Sequence, residues 1–261
     1  MLKLASWNVN SLKMRLEQVL QWFQENQVDV LALQETKISD DYFPKQVFVD
    51  QGLHIAYSGQ KTYNGVAIIS RFPLLDVMKE IPGLEDPQRR ILVSTVAGIR
   101  LINLYVPNGS EVGSEKYEYK LRWLAKVTTF LRQQLSLYPN LAVLGDFNIA
   151  TEDIDVHEPM EWEGSVLVSP EERQAFSALV SLGLKDSFRE KNRDTQLFSW
   201  WDYRAVAFRR NRGLRIDHIL LSDALYESCK ESAIDKEPRK AERPSDHTPV
   251  WVTLDVDTQF F

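Results

Sequence analysis

The feature of this sequence that most constrains its fold is a series of apolar runs, each five or six residues long and each followed by a polar residue. Runs this short favour buried strands over helices. Residues 12–23 and 114–137 instead space their apolar side chains as amphipathic helices do. Strands that alternate with helices predict an α/β protein. The apolar runs are Leu2–Trp7, Val28–Leu33, Gly65–Ser70 and Leu141–Gly145.

Further strands are arranged as a hairpin. Ile91–Ala97 and Ile99–Val106 predict two strands joined at a glycine, and Ile216–Leu221 and Val250–Leu254 predict two late strands. Because a hairpin occurs together with strand–helix units, we expect two mixed or mostly antiparallel sheets covered by helices. No linker or repeat interrupts the pattern, which predicts a single domain over residues 1–261.

A helix start is also visible in the sequence. Ser169 is followed by a proline and, three residues on, by Glu172, which is the pattern of a capped helix N-terminus. Gly183 is typical of the helix end.

Composition narrows the classes of protein that remain. Of the 261 residues, 44% are hydrophobic and 26% are charged, which excludes a disordered tail protein. No apolar stretch is long enough to span a membrane, and the first residues turn polar too early for a signal peptide. Cys229 is the only cysteine, so we expect a reducing, cytoplasmic location. The net charge of −6 excludes a polycation, although a local basic face could still bind nucleic acid.

Polar side chains of catalytic type stand where the predicted strands end. Residues at strand ends on a rigid scaffold are the usual place for a site. In an antiparallel arrangement, Asp246 and His247 reach the same edge, because they precede a strand. The residues at strand ends are Asn8, Asn10, Glu35, Tyr105, Asp146 and Asn148.

Each of these motifs also has a purely structural interpretation. Asp146 and Asn148 could handle a proton and orient a water, or could only stabilise a turn. Asp246 and His247 could form a ligand beside a titratable imidazole, or a strand cap. Asp217 lies in an apolar run and needs a partner, which could be Arg215, a backbone donor or a distant histidine.

Glu35 could be a metal ligand. With Asn10 and Asp246 it would offer oxygen atoms to a hard cation, and Mg²⁺ suits a sparse site because it keeps several waters. The structural alternative is a cap for the turn at Thr36 and Lys37.

One segment interleaves aromatic residues with arginines. Phe198–Arg204 and Arg209–Arg215 combine tryptophans, which stack on bases and sugars, with arginines, which neutralise phosphates. The alternative is buried tryptophans beside a solvated basic loop. Since neighbouring residues of a strand face opposite sides, we expect Trp200 or Trp201 to have a role outside the core. The basic cluster Pro238–Lys240 is expected on the surface.

Taken together and in this order, six motifs resemble one enzyme family over residues 2–255, nearly the whole chain. The sequence is similar to the exonuclease III-type apurinic/apyrimidinic endonucleases, part of the endonuclease/exonuclease/phosphatase superfamily. The motifs are Trp7-Asn8-Val9-Asn10, Leu33-Gln34-Glu35-Thr36-Lys37, Tyr105-Val106-Pro107-Asn108-Gly109, Gly145-Asp146-Phe147-Asn148, Asn211-Arg212-Gly213-Leu214-Arg215-Ile216-Asp217 and Ser245-Asp246-His247-Thr248-Pro249-Val250.

The resemblance implies a fold and an activity. The family fold is a four-layer α/β/β/α sandwich of two packed mixed sheets flanked by helices. Its members hydrolyse the phosphodiester 5′ to abasic sites in duplex DNA with Mg²⁺ or Mn²⁺, and many also trim 3′ ends or digest DNA from the 3′ end. We expect a monomer that acts on DNA and not at a membrane.

The resemblance also implies roles for individual residues. Glu35 would be the main metal ligand, with Asn8, Asn10 and Asp246 around it. Asp146 would activate the attacking water, which Asn148 would help to place, and Tyr105 would contact the scissile phosphate. Asp217 would orient His247, which would stabilise charge on the phosphoryl oxygens. The residues expected to contact DNA are Trp200, Trp201, Arg212 and Leu214.

Three other functions remain open at this point. The chain could be mainly a 3′–5′ exonuclease or 3′-phosphatase without strong abasic incision. It could be a phosphatase of the same superfamily, or an inactive binding module. The loop Ile154–Val168 matches no part of the family pattern, and Asn10, Trp201 and Leu214 depart from some relatives.

Overall fold

A computed structural model describes residues 1–258, so the last three residues of the predicted domain lie outside the described part. Short 3₁₀ turns join some elements. In chain order the strands and α-helices are β1 (Leu2–Asn8), α1 (Leu12–Glu25), β2 (Val30–Gln34), α2 (Lys45–Val49), β3 (His54–Ser58), β4 (Val66–Ser70), β5 (Leu75–Met78), β6 (Ile91–Val96), β7 (Ile99–Tyr105), α3 (Glu115–Leu137), β8 (Leu141–Asp146), α4 (Pro159–Trp162), α5 (Pro170–Val180), β9 (Leu184–Asp186), α6 (Ser187–Lys191), β10 (Asp217–Ser222), α7 (Asp223–Tyr226), β11 (Cys229–Ile234) and β12 (Val250–Leu254).

The strands form two sheets of six strands each. The first sheet has the order β11-β12-β1-β2-β4-β3, and the second has the order β5-β6-β7-β8-β10-β9. In each sheet the central pair is parallel, β1 with β2 and β7 with β8, and the other neighbours are antiparallel. Both sheets are therefore mixed, as predicted.

Helices cover the outer face of each sheet. Buried side chains of α1 and α2, such as Trp22 and Phe48, pack with the first sheet, and side chains of α3 and α5, such as Trp123 and Phe176, pack with the second. A third apolar cluster, which includes Leu4 from β1, lies between the sheets. These four layers confirm the predicted α/β/β/α sandwich.

The strongest local signals of the sequence hold in the structure. β6 and β7 form the predicted hairpin. Helix α5 begins with a capping box in which Ser169 and Glu172 each accept a hydrogen bond from the other's backbone N–H. The sequence patterns did not predict β3, β5, β9 and β11, which are the edge strands of the two sheets. Within the described part, none of the helices has the length and apolarity that crossing a membrane would require.

Candidate active site

The strand register brings the polar strand ends of both sheets to one edge. In the first sheet, Asn8 of β1 pairs with Gln34 of β2, so Glu35 follows directly at that edge. In the second sheet, Asp146 of β8 stands beside Tyr105 of β7 and opposite Asp217 of β10. Because β12 runs antiparallel to β1, the residues that precede it reach the same place.

Gly145 allows β8 to lie close to the neighbouring strand β7 at the site. Gly145 has a φ of 145°, and a Cβ atom there would lie 1.9 Å from the carbonyl oxygen of Leu104. Only glycine tolerates this contact with the neighbouring strand. The residue before Asp146 thus lets β7 and β8 stay close where they enter the site.

An aspartate and a histidine from different sheets form a buried pair. The Nδ1 atom of His247 lies 2.8 Å from Oδ2 of Asp217, and Ser199 donates a second hydrogen bond of 2.7 Å to the same oxygen. Of the three partners considered for Asp217, the structure therefore selects the distant histidine, supported by the Ser199 hydroxyl. Arg215 points elsewhere and binds Asp155 and Asp186.

Asn8 connects the two carboxylates at the centre of the site. Its Nδ2 atom donates to Oε1 of Glu35 and to Oδ2 of Asp146, each at 2.9 Å. The other ring nitrogen of His247, Nε2, lies 3.7 Å from Oδ2 of Asp146. Asp146 is 1% exposed and His247 is 4% exposed, so these two groups are shielded from bulk water, whereas Glu35 is partly exposed.

Asn148 is tied to Asp146 by local geometry. Its backbone N–H donates to Oδ1 of Asp146 at 2.9 Å, and its side chain donates to the carbonyl of Val106 at 3.0 Å. Asn108 donates to the Asn148 side chain at 3.1 Å. The turn that follows β8 is therefore an Asx-type turn, and it also places an amide beside the carboxylate, so the two interpretations of this motif are compatible.

The pKa values of Asp146 and His247 are both raised. Burial raises the pKa of Asp146, while the charge of His247 opposes that rise. Burial by itself lowers the pKa of His247, but Asp217 and Asp146 outweigh it and raise that pKa above its usual range. The imidazole is therefore favoured in its protonated form, next to a carboxylate that has an increased affinity for a proton.

Tyr105 lies at the rim and keeps its proton. Burial, with the charges of Glu35 and Asp146, raises the pKa of Tyr105 well above its ordinary value. The guanidinium of Arg90 lies 4.6 Å from the centre of its ring. A phenol that is half-buried and remains protonated can donate a hydrogen bond to an anionic ligand.

The four expected metal ligands are linked by hydrogen bonds, because Asn8 donates to Glu35 and Asn10 donates to both Asn8 and Asp246. Glu35, Asp146 and His247 have ligand atoms within 4.8 Å of one another. Asp246 accepts hydrogen bonds at both oxygens, from Asn10 at Oδ1 and from Trp200 at Oδ2, each at 3.0 Å. Asp246 and Asn10 thus form a hydrogen-bonded rim beside the group of Glu35, Asp146 and His247.

A lysine occupies the space between two of the expected ligands. The ammonium of Lys37 lies 3.0 Å from Oε2 of Glu35 and 2.5 Å from Oδ1 of Asn10. The sequence indicated no ligand-like position for Lys37. Its place beside Glu35 shows that this corner attracts a positive charge.

Two of the four residues expected to contact DNA are buried. Trp201 and Leu214 are both 0% exposed, so neither presents surface to a ligand in this structure, in contrast to the expected contact with DNA. Trp201 packs with Phe198, and Leu214 packs beneath Trp200. The backbone of Leu214 holds Trp200 in place, because the backbone N–H of each residue donates to the carbonyl of the other.

The other two residues of this set do face outward. Trp200 is half-buried, and its indole N–H is held by Asp246 beside His247. Arg212 is exposed and lies 3.6 Å from Glu158, which links it to the loop Ile154–Val168. Of the adjacent tryptophans, it is therefore Trp200 that lies at the site, as the alternation argument allowed.

Two buried cations near the site were not identified as important from the sequence. Arg239 was expected on the surface, but it is 6% exposed, lies against the rings of Trp201 and Phe208, and donates to the carbonyl of Ser245. Lys120 is fully buried on α3. Because Lys120 lies on the apolar face of that helix, its burial could have been predicted from the sequence. No pattern in the neighbouring residues predicts the burial of Arg239.

Known proteins share this fold and these sequence patterns. The model of the Endonuclease/Exonuclease/phosphatase family matches residues 5–247. The chain is 35% identical to the exodeoxyribonuclease III of Haemophilus influenzae, with 96% of this chain and 98% of that protein covered. A 3′-phosphatase from Neisseria, solved with a product DNA hairpin, is 45% identical, with a TM-score of 0.97 and coverage of 98% and 100%. An AP endonuclease from Archaeoglobus fulgidus is 38% identical, with a TM-score of 0.95 and the same coverage.

Proposed function

Because this chain belongs to the exonuclease III-type branch of the endonuclease/exonuclease/phosphatase family, we propose that it is a DNA-repair phosphodiesterase that uses a divalent metal. Its substrate is duplex DNA, cut 5′ to abasic sites and trimmed at 3′ ends. The observation that carries this proposal is the buried Asp217–His247 pair directed at Asp146, with Glu35 beside it. That group combines a proton acceptor, a cationic donor and an anionic ligand.

The donor set fits a hard cation. Mg²⁺ takes oxygen ligands, needs only one or two carboxylates and keeps several waters. Glu35 would hold it, with Asp146 close by, and the ion pair of Lys37 with Glu35 is consistent with a favourable position for positive charge. Mn²⁺ would bind the same oxygens. When bound, the metal supplies charge neutralisation for the phosphoryl oxygens.

The protein's own residues would perform the remaining chemistry. Asp146 would accept a proton from the attacking water, since burial raises its pKa and two donors hold its orientation. His247, protonated and oriented by Asp217, would donate to a phosphoryl oxygen as negative charge develops there. Tyr105 would donate to the phosphate from the rim, beside Glu35. Asn148 would place the water or the phosphate.

Trp200 and Arg212 would contact the DNA. The half-buried Trp200 would form a wall for an extrahelical abasic sugar, which is cheap to flip because it has no base to unstack. Arg212, with the other arginines of Arg204–Arg212, would contact phosphates.

A second candidate is an enzyme that acts mainly at 3′ ends. The Neisseria 3′-phosphatase is 45% identical to this chain, compared with 38% for the Archaeoglobus AP endonuclease. In this case the chemistry of the site is unchanged, and only the placement of DNA differs. A phosphatase acting on other phosphate esters is less well supported, because the segments around Trp200 and Arg212 suit DNA.

Cleavage of defined substrates tests these proposals. Three labelled duplexes would be used: one with a tetrahydrofuran abasic analogue, one with a recessed 3′ end and one with a 3′-phosphate, each with Mg²⁺ and with chelator. We expect metal-dependent incision at the analogue. Digestion at 3′ ends without incision would instead establish the second candidate. No hydrolysis of any duplex would contradict both.

We also propose that the protein works as a monomer in the cytoplasm. A single cysteine, Cys229, which is buried, suits a reducing compartment. Light scattering during gel filtration is expected to give the monomer mass of 30.2 kDa, and a dimer mass would contradict the proposal.

A further inference from the structure

A buried lysine contacts both loops that carry polar residues into the site. Lys120, on the inner face of α3, is 0% exposed. Its ammonium donates to the carbonyl of Asn148 at 2.7 Å and to the carbonyl of Asn108 at 3.1 Å. Its third partner is the carboxylate of Glu172 on α5. An ammonium has three donors, so each one has an acceptor here.

The two carbonyls belong to residues whose side chains enter the site. Asn108 donates to Asn148, and the backbone N–H of Asn148 donates to Asp146 at 2.9 Å. Asn148 has a φ of 51°, in the left-handed region that asparagine adopts more readily than most other non-glycine residues. The ammonium of Lys120 binds the carbonyl of this turn residue.

The partner of Lys120 is itself rigidly held. Glu172 accepts hydrogen bonds from the backbone N–H groups of Leu167, at 3.0 Å, and Ser169, at 3.1 Å. The hydrogen bond from Ser169 is part of the capping box of α5, and the one from Leu167 fixes the end of the preceding loop. Burial lowers the pKa of Lys120, and the Glu172 carboxylate opposes that shift.

Stability alone does not require such a pair. Replacing a buried ion pair with uncharged residues of similar size is often neutral or stabilising, because both charges must be taken out of water. The pair nevertheless lies directly behind the turn that holds Asp146. A role in the reaction would explain this position.

We propose that Lys120 is a positioning residue for hydrolysis, whose ammonium fixes the loops after β7 and β8 so that Asp146 and Asn148 face the scissile phosphate. The inference rests on the proposed function. Glu172 is the countercharge of the ammonium, and the two hydrogen bonds from Lys120 to the loop carbonyls do not involve it.

The test is a double variant that removes both charges, Lys120→Met with Glu172→Gln. Methionine is close to lysine in length, and glutamine keeps an acceptor for the capping box. Methionine cannot donate to the carbonyls of Asn108 and Asn148, so the two loops are no longer fixed. We expect kcat on the DNA substrate to fall about 10- to 100-fold, with KM within about threefold of wild type, because small misplacements of reacting groups are costly.

The matched control is Arg100→Met. Arg100 is also a buried cation, 2% exposed, but it lies at the end of β7 away from the site, where it binds Gln134 of α3 and the carbonyl of Asp76 on β5. We expect it to lower the Tm while leaving kcat unchanged. If the double variant lowers the Tm to the same extent and keeps the wild-type kcat, Lys120 is only structural and the proposal is overturned.

A second variant covers the case in which the double variant does not fold. Glu172→Gln alone keeps the lysine and its two carbonyl partners, so kcat should stay within about threefold of wild type. A decrease of about 10-fold or more in this variant would overturn the proposal, since it would trace the effect to the ion pair and α5. Wild-type protein is assayed first, and its failure to cleave any duplex would contradict the proposed function itself.

Discussion

At the scale of single residues, the site depends on hydrogen bonds that leave each group only one useful orientation. Ser199 accepts from the backbone N–H groups of Ile216 and Asp217 and donates to the Asp217 carboxylate. Asp217 in turn fixes the His247 ring. These hydrogen bonds leave Nε2 of His247 directed at Asp146, where a phosphoryl oxygen would be bound. Orientation of this kind is present before substrate arrives.

Replacing the proton acceptor should remove turnover and leave DNA binding intact. In Asp146→Asn the amide cannot take a proton from water, so we expect kcat to fall by ~10²–10⁴ with little change in KM. Single-turnover cleavage and a separate DNA-binding titration would check this. Asp153→Asn, a change at an exposed aspartate on the loop after β8, is the control and should behave as wild type. Equal decreases in binding and turnover in Asp146→Asn would contradict the role.

Glu35 should control the metal requirement. Because glutamine keeps the shape of Glu35 but lacks its charge, Glu35→Gln should raise the Mg²⁺ concentration for half-maximal cleavage by about tenfold or more. Cleavage rates over a Mg²⁺ titration measure the shift. Glu17→Gln, on the exposed face of α1, is the matched change away from the site. An unaltered Mg²⁺ midpoint in Glu35→Gln would rule out Glu35 as the main ligand.

At the scale of elements, the segment from Phe198 to Asp217 is held in place by its own buried residues and by Arg239. The backbone of Leu214 pairs with Trp200, and Gly213 allows this close approach because a Cβ atom there would lie 2.8 Å from the Trp200 carbonyl oxygen. Arg239 supports the same segment by packing against Trp201. The buried residues of this segment therefore serve to present Trp200 and the arginines.

The exposed arginines of this segment should contribute salt-dependent binding. Arg212→Ala is expected to weaken DNA binding and to reduce the slope of log K against log salt concentration by about 1, the value for the removal of one phosphate contact. kcat at saturating DNA should not change. Arg193→Ala, which removes an exposed arginine near α6, is the control. If the two variants have the same salt slope as wild type, Arg212 does not contact phosphate.

At the scale of the whole molecule, a buried ion network joins the second sheet to the loops beneath the site. Arg215 is fully buried and binds the carboxylates of Asp155 and Asp186, and Arg189 also binds Asp155. Burial alone would raise the pKa of both carboxyl groups, but Arg215 outweighs burial and lowers the pKa of each. The network thus ties β9, β10 and the loop after β8 into one unit.

These lowered pKa values predict the pH dependence of stability. A carboxyl group with a folded pKa below its unfolded value stabilises the protein above the unfolded pKa, about 4, and its contribution disappears as pH falls through the folded pKa. The free energy of unfolding should therefore decrease as pH falls below about 4. At pH 7 the free energy of unfolding of Asp186→Asn should be lower than that of the wild type by about 3–5 kcal/mol at most. At low pH this difference between variant and wild type should be smaller.

Urea unfolding at neutral and acidic pH would measure this difference. Asp41→Asn, at an exposed position, is the control and should parallel wild type. A deficit in Asp186→Asn that is the same at both pH values would show that the interaction of Asp186 with Arg215 is not electrostatic.

Local patterns were enough to predict most elements and to indicate the polar strand ends as candidate site residues. The β6–β7 hairpin and the capping box at Ser169 rest on patterns within a few residues, where backbone preference and side-chain period act directly. The polar residues that end β1 and β8 are visible for the same reason. Edge strands such as β5, with exposed and irregular positions, have no such pattern and were not predicted.

The pairing of distant side chains, in contrast, depends on the tertiary structure. Asp217 had three candidate partners in the sequence, and the register of β10 against β8 together with the approach of β12 selected His247. The same long-range packing buried Trp201 and left Trp200 at the surface of the site. A residue's partners across the fold depend on how whole sheets pair and stack, and this information is not contained in any short window of the chain.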